Sequence, residues 1–268
     1  MSAVNTTAMG PPVCPPSTPM SCVNGTSTGN DCCVQNPGYI LQAQFWWIDP
    51  SIGPNDSFTI HGLWYAKPSY LQRTSTRVAI RVSNETIAYR FDECDGSTTA
   101  DCGDTAALNH VSDILNDQGR QDLIDTMNIY WPDTETSDTE VKNNVMWSHE
   151  WSKHGSCANT IVPGCYGDAY TENVQIGDWA QTVVNLFQER NTYKALSDAG
   201  IVPGSTYSIE SIQNALRPIH GGMTPAVACQ NTSQLTEIYY YYYLTGNVIN
   251  GKYTPADASK FFCFSLFC

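Results

Sequence analysis

The segment WSHEWSKHGSC, Trp147 to Cys157, sets His149, Glu150, Lys153 and His154 within a few residues of one another. On a helix Glu150 lies four residues from His154 and three from Lys153, so these side chains converge, and His149 neighbours Lys153. The product is a cationic pocket holding one carboxylate. A zinc site would instead need His-Glu-x-x-His, with both imidazoles four apart on one face. His149 and His154 are five apart, about 140° of rotation at 3.6 residues per turn, and the Lys153 ammonium would repel a dication. Neither a metal nor a cofactor is expected.

A second histidine stands in FTIHGLW, Phe58 to Trp64. Imidazoles from two separate segments can serve as a general base and a general acid, provided they hold opposite protonation states. Ribonucleotide cleavage has that need. One group takes the proton of the ribose 2′-OH as the oxygen attacks phosphorus in line, and the other protonates the departing 5′ oxygen. Lys153 and a charged His149 could stabilise the negative charge gathering on the phosphoryl oxygens. Histidine titrates near pH 6.5, so the cationic forms favour an optimum below neutrality. His110 and His220 are read as surface or structural histidines.

These residues need elements to hold them. YILQAQFWWI, Tyr39 to Ile48, and SFTIHGLW, Ser57 to Trp64, read as strands, with Asn55 and Asp56 as turn material between them. TAALNHVSDIL and RQDLIDTMNIYW predict two consecutive helices, the first with Leu108, Val111, Ile114 and Leu115 at helical spacing. DWAQTVVNLFQERNTYKAL predicts one helix with Trp179, Val183, Leu186 and Phe187 on a face, ended by GIVPG, and SIESIQNAL a shorter helix after Ser208. EIYYYYYL, Glu237 to Leu244, reads as a structural strand rather than a base-stacking platform, its alternate tyrosines on opposite sides of a sheet. No internal repeat is present.

The chain has 268 residues, enough for a substantial core, and one domain is the default. Eleven cysteines point to an oxidising compartment. No hydrophobic leader is read at the N-terminus and no run of about 18 apolar residues could span a bilayer, so a mature, soluble, secreted chain with no membrane partner is expected. Asn5, Asn24, Asn55, Asn84 and Asn231 head glycosylation acceptor motifs. The net charge of −13 disfavours broad contact with a polyanion, so any phosphate-binding site must be local. An environment near the sequence pI of 4.5 would lessen that repulsion.

FTIHGLW and WSHEWSKHGSC resemble the two active-site segments of the ribonuclease T2 family, secreted acid endoribonucleases, and LQAQFWW and NIYWP are similar to flanking family segments. The length and cysteine spread resemble fungal members, and the likeness extends from Cys14 to Cys263. The resemblance implies a single α+β domain over residues 1–268, with a central antiparallel sheet, several helices and disulfide staples. Residues 1–13 are expected to be an irregular tail. It also implies metal-free transesterification of single-stranded RNA to 2′,3′-cyclic phosphates, then slower hydrolysis to 3′-phosphates, by a monomer. By the same likeness His154 is the general base, His61 the general acid and His149 the phosphate-binding histidine, while Glu150 and Lys153 help stabilise the pentacoordinate state. The residues alone leave open which imidazole is acid and which is base.

Trp64 matches the family's base-stacking residue. The family's motif is soon followed by Pro-Asp and then Cys-Asp-Gly, whereas here Tyr65 follows and CDG waits until Cys94 to Gly96, so residues 65–93 read as an insertion. That alignment places Asp92 at the base-reading aspartate and Thr98 where fungal relatives carry a second aromatic wall. Gln44 and Pro132 match a second base subsite, and base preference is expected to be weak. The family pattern implies the pairs Cys14–Cys33, Cys22–Cys94, Cys32–Cys165, Cys102–Cys157 and Cys229–Cys263, leaving Cys268 over, read as a free thiol with an intermolecular bridge as the alternative. The competing reading is a secreted relative that binds or stores rather than cleaves. The intact set of His61, His149, Glu150, Lys153 and His154 favours the enzyme. The compartment is extracellular, with vacuole or lysosome as the alternative.

Overall fold

The computed structural model describes residues 11, 13–21, 32–35, 38–47, 52–66, 78–82, 85–89, 110–133, 139–230 and 234–258. Strands β1 (Tyr39–Phe45) and β2 (Thr59–Ala66) come first, then a separate two-stranded hairpin, β3 (Val78–Val82) and β4 (Glu85–Tyr89). The hairpin occupies part of the stretch read as an insertion. Among the described residues seven α-helices follow: α1 (Val111–Asp117), α2 (Gln121–Tyr130), α3 (Thr139–Lys153), α4 (Pro163–Tyr166), α5 (Val174–Gln188), α6 (Thr192–Asp198) and α7 (Ile209–Leu216). Strands β5 (Ala226–Gln230), β6 (Gln234–Thr245) and β7 (Lys252–Ala256) complete an antiparallel sheet of order β2-β1-β6-β5, with β7 also paired to β6. The chain is an α+β domain, and among the described residues no helix is long and apolar enough to cross a membrane.

The tyrosine run is the sheet's central strand. Its even members, Tyr240 and Tyr242 with Ile238 and Leu244, join Ile40 in the main core, where α5 delivers Ile176, Trp179, Val183 and Leu186. Its odd member Tyr241 joins Leu41, Ala43 and Trp64 on the opposite face. This is the two-residue alternation of a pleated strand. One expectation fails: the helix expected through 178–196 is two, α5 and α6. Asn191 breaks it, its side chain accepting a hydrogen bond from Lys194 N to cap α6.

On β2 the alternation itself breaks. Ala43 pairs with Gly62 but Gln44 pairs with Ile60, leaving His61 as the extra residue of a β-bulge. Ile60 faces the main core, yet so do Leu63 and Tyr65. The bulge therefore shifts the parity of the strand and puts His61 and Trp64 together on the face opposite the main core. Bulges re-aim side chains in this way and cluster beside active sites.

Candidate active site

The site lies where the end of α3 meets β2, the edge strand. Three devices hold the two together. Trp147 Nε1 donates to Trp131 O at 2.8 Å, and Trp131 Nε1 donates to His61 O at 2.9 Å, so α3 is tied through the end of α2 to the bulge. Trp64 Nε1 donates to Glu150 Oε2 at 2.8 Å, joining β2 directly to α3. Gly62 permits that approach: a Cβ there would overlap Glu150 Oε2 and fall 2.7 Å from Trp64 Nε1. Gly155 does the same after His154, where a Cβ would lie 2.5 Å from the Trp151 ring and 2.8 Å from Trp179. The Trp and Gly positions of both motifs are thus explained by packing.

His61 and His154 meet on one indole. The Trp64 ring stacks on His154 at 4.9 Å and 29°, and takes His61 edge-on at 4.6 Å and 83°. His61 lies flat on Phe45 at 3.9 Å and 18°. It is the more open of the two, its side chain 22% exposed, and its Nε2 stands 3.8 Å from Glu150 Oε1. Its Nδ1 shares a proton with Glu237 Oε1 at 2.6 Å, and the Tyr239 hydroxyl donates to Glu237 Oε2.

Burial sets the protonation states. His154 follows the last residue of α3, its N–H still bonded to Glu150 O at 3.0 Å, and is buried. Desolvation first, then the positive charges of Lys153, His61 and His149, lower its pKa to about 3. It is therefore neutral and able to accept a proton, and its Nδ1 is buried with no hydrogen-bond partner among the described residues. Glu150, 1% exposed, has its pKa raised by desolvation and secondarily by Glu237, against the lowering effects of His61, the Trp64 N–H and Lys153. Lys153 is half-buried in the last helical turn, where its ammonium also suits the helix dipole. His149, one turn back, is exposed. The arrangement can hold one neutral imidazole and one carboxylate-paired imidazole on a single indole, with an ammonium beside them.

Residues 37–254 match the model of the ribonuclease T2 family. The chain belongs to that family. Ribonuclease T2 of Aspergillus oryzae is 41% identical over 249 residues, covering 92% of this chain and 78% of its own. Ribonuclease M of Aspergillus phoenicis is 39% identical, covering 91% and 90%. The crystal structure of Actibind, described as a T2 ribonuclease, superposes with a TM-score of 0.74 at 37% identity over 92% of both chains.

The base-binding residues inferred from the T2 resemblance lie in several different surroundings. Trp64 is 8% exposed and already carries His154 on one face, so it braces the two histidines and offers a base little open ring. Gln44 is 0% exposed on the strand face opposite His61. Its Oε1 accepts from Thr192 at 2.6 Å and its Nε2 donates to Gln42 at 3.3 Å, and it lines a cavity of about 180 Å³ with Tyr130, Arg190 and Thr192. Pro132 is half-buried just past α2, next to Trp131. Asp92 and Thr98 lie outside the described residues. Glu237, Phe45 and Tyr239 were missed as site residues. The only signal for Glu237 was a lone carboxylate opening an otherwise apolar and aromatic strand.

Cys14–Cys33 and Cys32–Cys165 are disulfides, the second spanning 133 residues. Cys157 and Cys229 are disulfide-bonded too. The pairs Cys22–Cys94, Cys102–Cys157 and Cys229–Cys263 each have an end outside the described residues, as does Cys268. Asn55 is exposed in the turn before β2. Asn5, Asn24, Asn84 and Asn231 lie outside the described residues.

Proposed function

We propose that this chain is a secreted endoribonuclease that cleaves single-stranded RNA by metal-independent transesterification, with His154 as base and His61 as acid. The activity is that of its family; the division of labour is the finer reading. The carrying observation is that both imidazoles pack on Trp64 while their environments differ: His154 is buried and neutral, and His61 is half-buried and hydrogen-bonded to Glu237.

His154 takes the 2′-OH proton as the oxygen bonds to phosphorus. The incoming phosphodiester carries negative charge, which offsets the repulsion from Lys153 and His149 and raises the proton affinity of His154 as the reaction needs. His61 Nε2 delivers a proton to the 5′ oxygen as the P–O5′ bond breaks, leaving a 2′,3′-cyclic phosphate and a free 5′-OH. Lys153, with His149, stabilises the non-bridging oxygens. In the second step water adds to the cyclic phosphate with the two roles exchanged, giving a 3′-phosphate.

Digestion of homopolymeric RNAs with EDTA over about pH 4 to 8 tests this, with products resolved for cyclic phosphates. Cleavage of all four polymers should survive chelation and peak below neutrality. A strict requirement for a divalent ion would defeat the mechanism.

A further inference from the structure

We propose that Glu237 is the positioning residue of the His61 acid, holding the imidazole across three strands so that Nε2 alone faces the scissile linkage. The proposal rests on the reading of His61 as the proton donor. His61 is the unpaired residue of the β2 bulge, and its ring crosses β1 by lying flat on Phe45. Phe45 pairs in register with Glu237 on β6, so the carboxylate stands where the crossing ring ends. The contact is Nδ1 to Oε1 at 2.6 Å, between side chains 22% and 16% exposed.

The carboxylate is itself held. Tyr239, two residues along the same strand and on the same face, donates its hydroxyl to Glu237 Oε2. One oxygen is thereby committed to Tyr239 and the other to His61. A carboxylate fixed on Nδ1–H sets both ring orientation and tautomer, the service an aspartate performs for the histidine of a Ser-His-Asp triad. With Nδ1 occupied, proton transfer has one route, through Nε2. The other charged and titratable groups near His61 are Glu150 from α3, 3.8 Å from Nε2, the Lys153 ammonium at the end of α3, and the neutral imidazole of His154. Glu150 cannot substitute for Glu237, because it is hydrogen-bonded to Trp64 and lies on the Nε2 side.

The test compares uridylyl-3′,5′-adenosine with uridine 3′-(4-nitrophenyl phosphate). The ribose 5′ oxygen of the first needs a proton to leave; nitrophenolate does not. Glu237→Ala and the near-isosteric Glu237→Gln should lower kcat on the dinucleotide by about 10- to 100-fold, within what a positioned acid supplies, with KM nearly unchanged. On the nitrophenyl ester the loss should stay below about threefold, and Glu237→Asp should recover part of the dinucleotide rate. Adding Glu237→Gln to His61→Ala should cost nothing further, since the two act as one unit. Equal losses on both substrates, or no loss, in Glu237→Gln would overturn the proposal. Equal losses on both substrates in His61→Ala would show instead that the acid reading is at fault.

Discussion

An imidazole is useful as a base only if it is neutral and as an acid only if it is charged, so two identical side chains must be given different surroundings. His154 is driven neutral by burial and by three neighbouring cations, while His61 keeps an open edge and a carboxylate partner. Replacing His154 by Phe preserves a ring to stack on Trp64 but removes the proton acceptor. The expected loss in kcat on dinucleotides is about 10²- to 10⁴-fold with the fold retained; a twofold change would remove His154 from the chemistry. The acid side of the profile should hold well below pH 6.5, because His154 stays neutral down to about 3. His149, Glu150, Lys153 and His154 are legible because short spacing and residue type define a local pocket, and His61 because its own motif resembles a family active-site segment. Glu237 is not, since it lies 176 residues from His61 and only strand register brings it there. Trp64 is legible as a site residue but not as a brace, because an indole suits base stacking and core packing equally.

The elements work as a clamp, with β2 and α3 as its jaws and indole N–H groups as its ties. Strands β1 and β2, the paired helices α1 and α2, and the central tyrosine strand all follow from periodicity and turn residues in the sequence. The bulge at His61 does not. A strand one residue out of phase keeps its apolar content, and only the partner strand reveals the slip. Gly62 is its companion: a motif glycine that exists because Glu150 and Trp64 occupy the place of a side chain. Gly62→Ala should force β2 and α3 apart. We expect about 1–3 kcal/mol of destabilisation, typical of overpacking, and at least a tenfold loss of kcat, since Trp64, Glu150 and His61 must all shift. Thermal unfolding and dinucleotide kinetics measure the two effects, and a variant with unchanged activity would show that the Gly62 approach is not needed for catalysis.

For the whole molecule, acidification has two opposing effects. The chain carries a net charge of −13 at pH 7, so acidification relieves self-repulsion. Its cysteines, whose number in the sequence already suggests disulfides, form long-range staples such as Cys32–Cys165, which constrain the unfolded state whatever the pH. Against this stand the buried histidines. His220 is fully buried among Tyr240, Tyr242 and the Ala256 carbonyl, and burial, helped by Arg190, lowers its pKa to about 4. Between pH 6.5 and about 4 the unfolded chain binds the proton that the folded chain refuses. The contribution of His220 is thus complete above 6.5 and is lost as pH falls through that window. His154 has the same sign over a wider range, whereas Glu150, its pKa raised, has the opposite sign and offsets part of the loss. His220→Gln keeps a donor for the Ala256 carbonyl and removes the titration. Its stability should fall less than the parent's between about pH 7 and 4.5, the two slopes differing by about 2–3 kcal/mol in urea unfolding. Parallel slopes would mean that His220 does not limit the acid tolerance of the fold, and the burden would pass to His154 and the carboxylates.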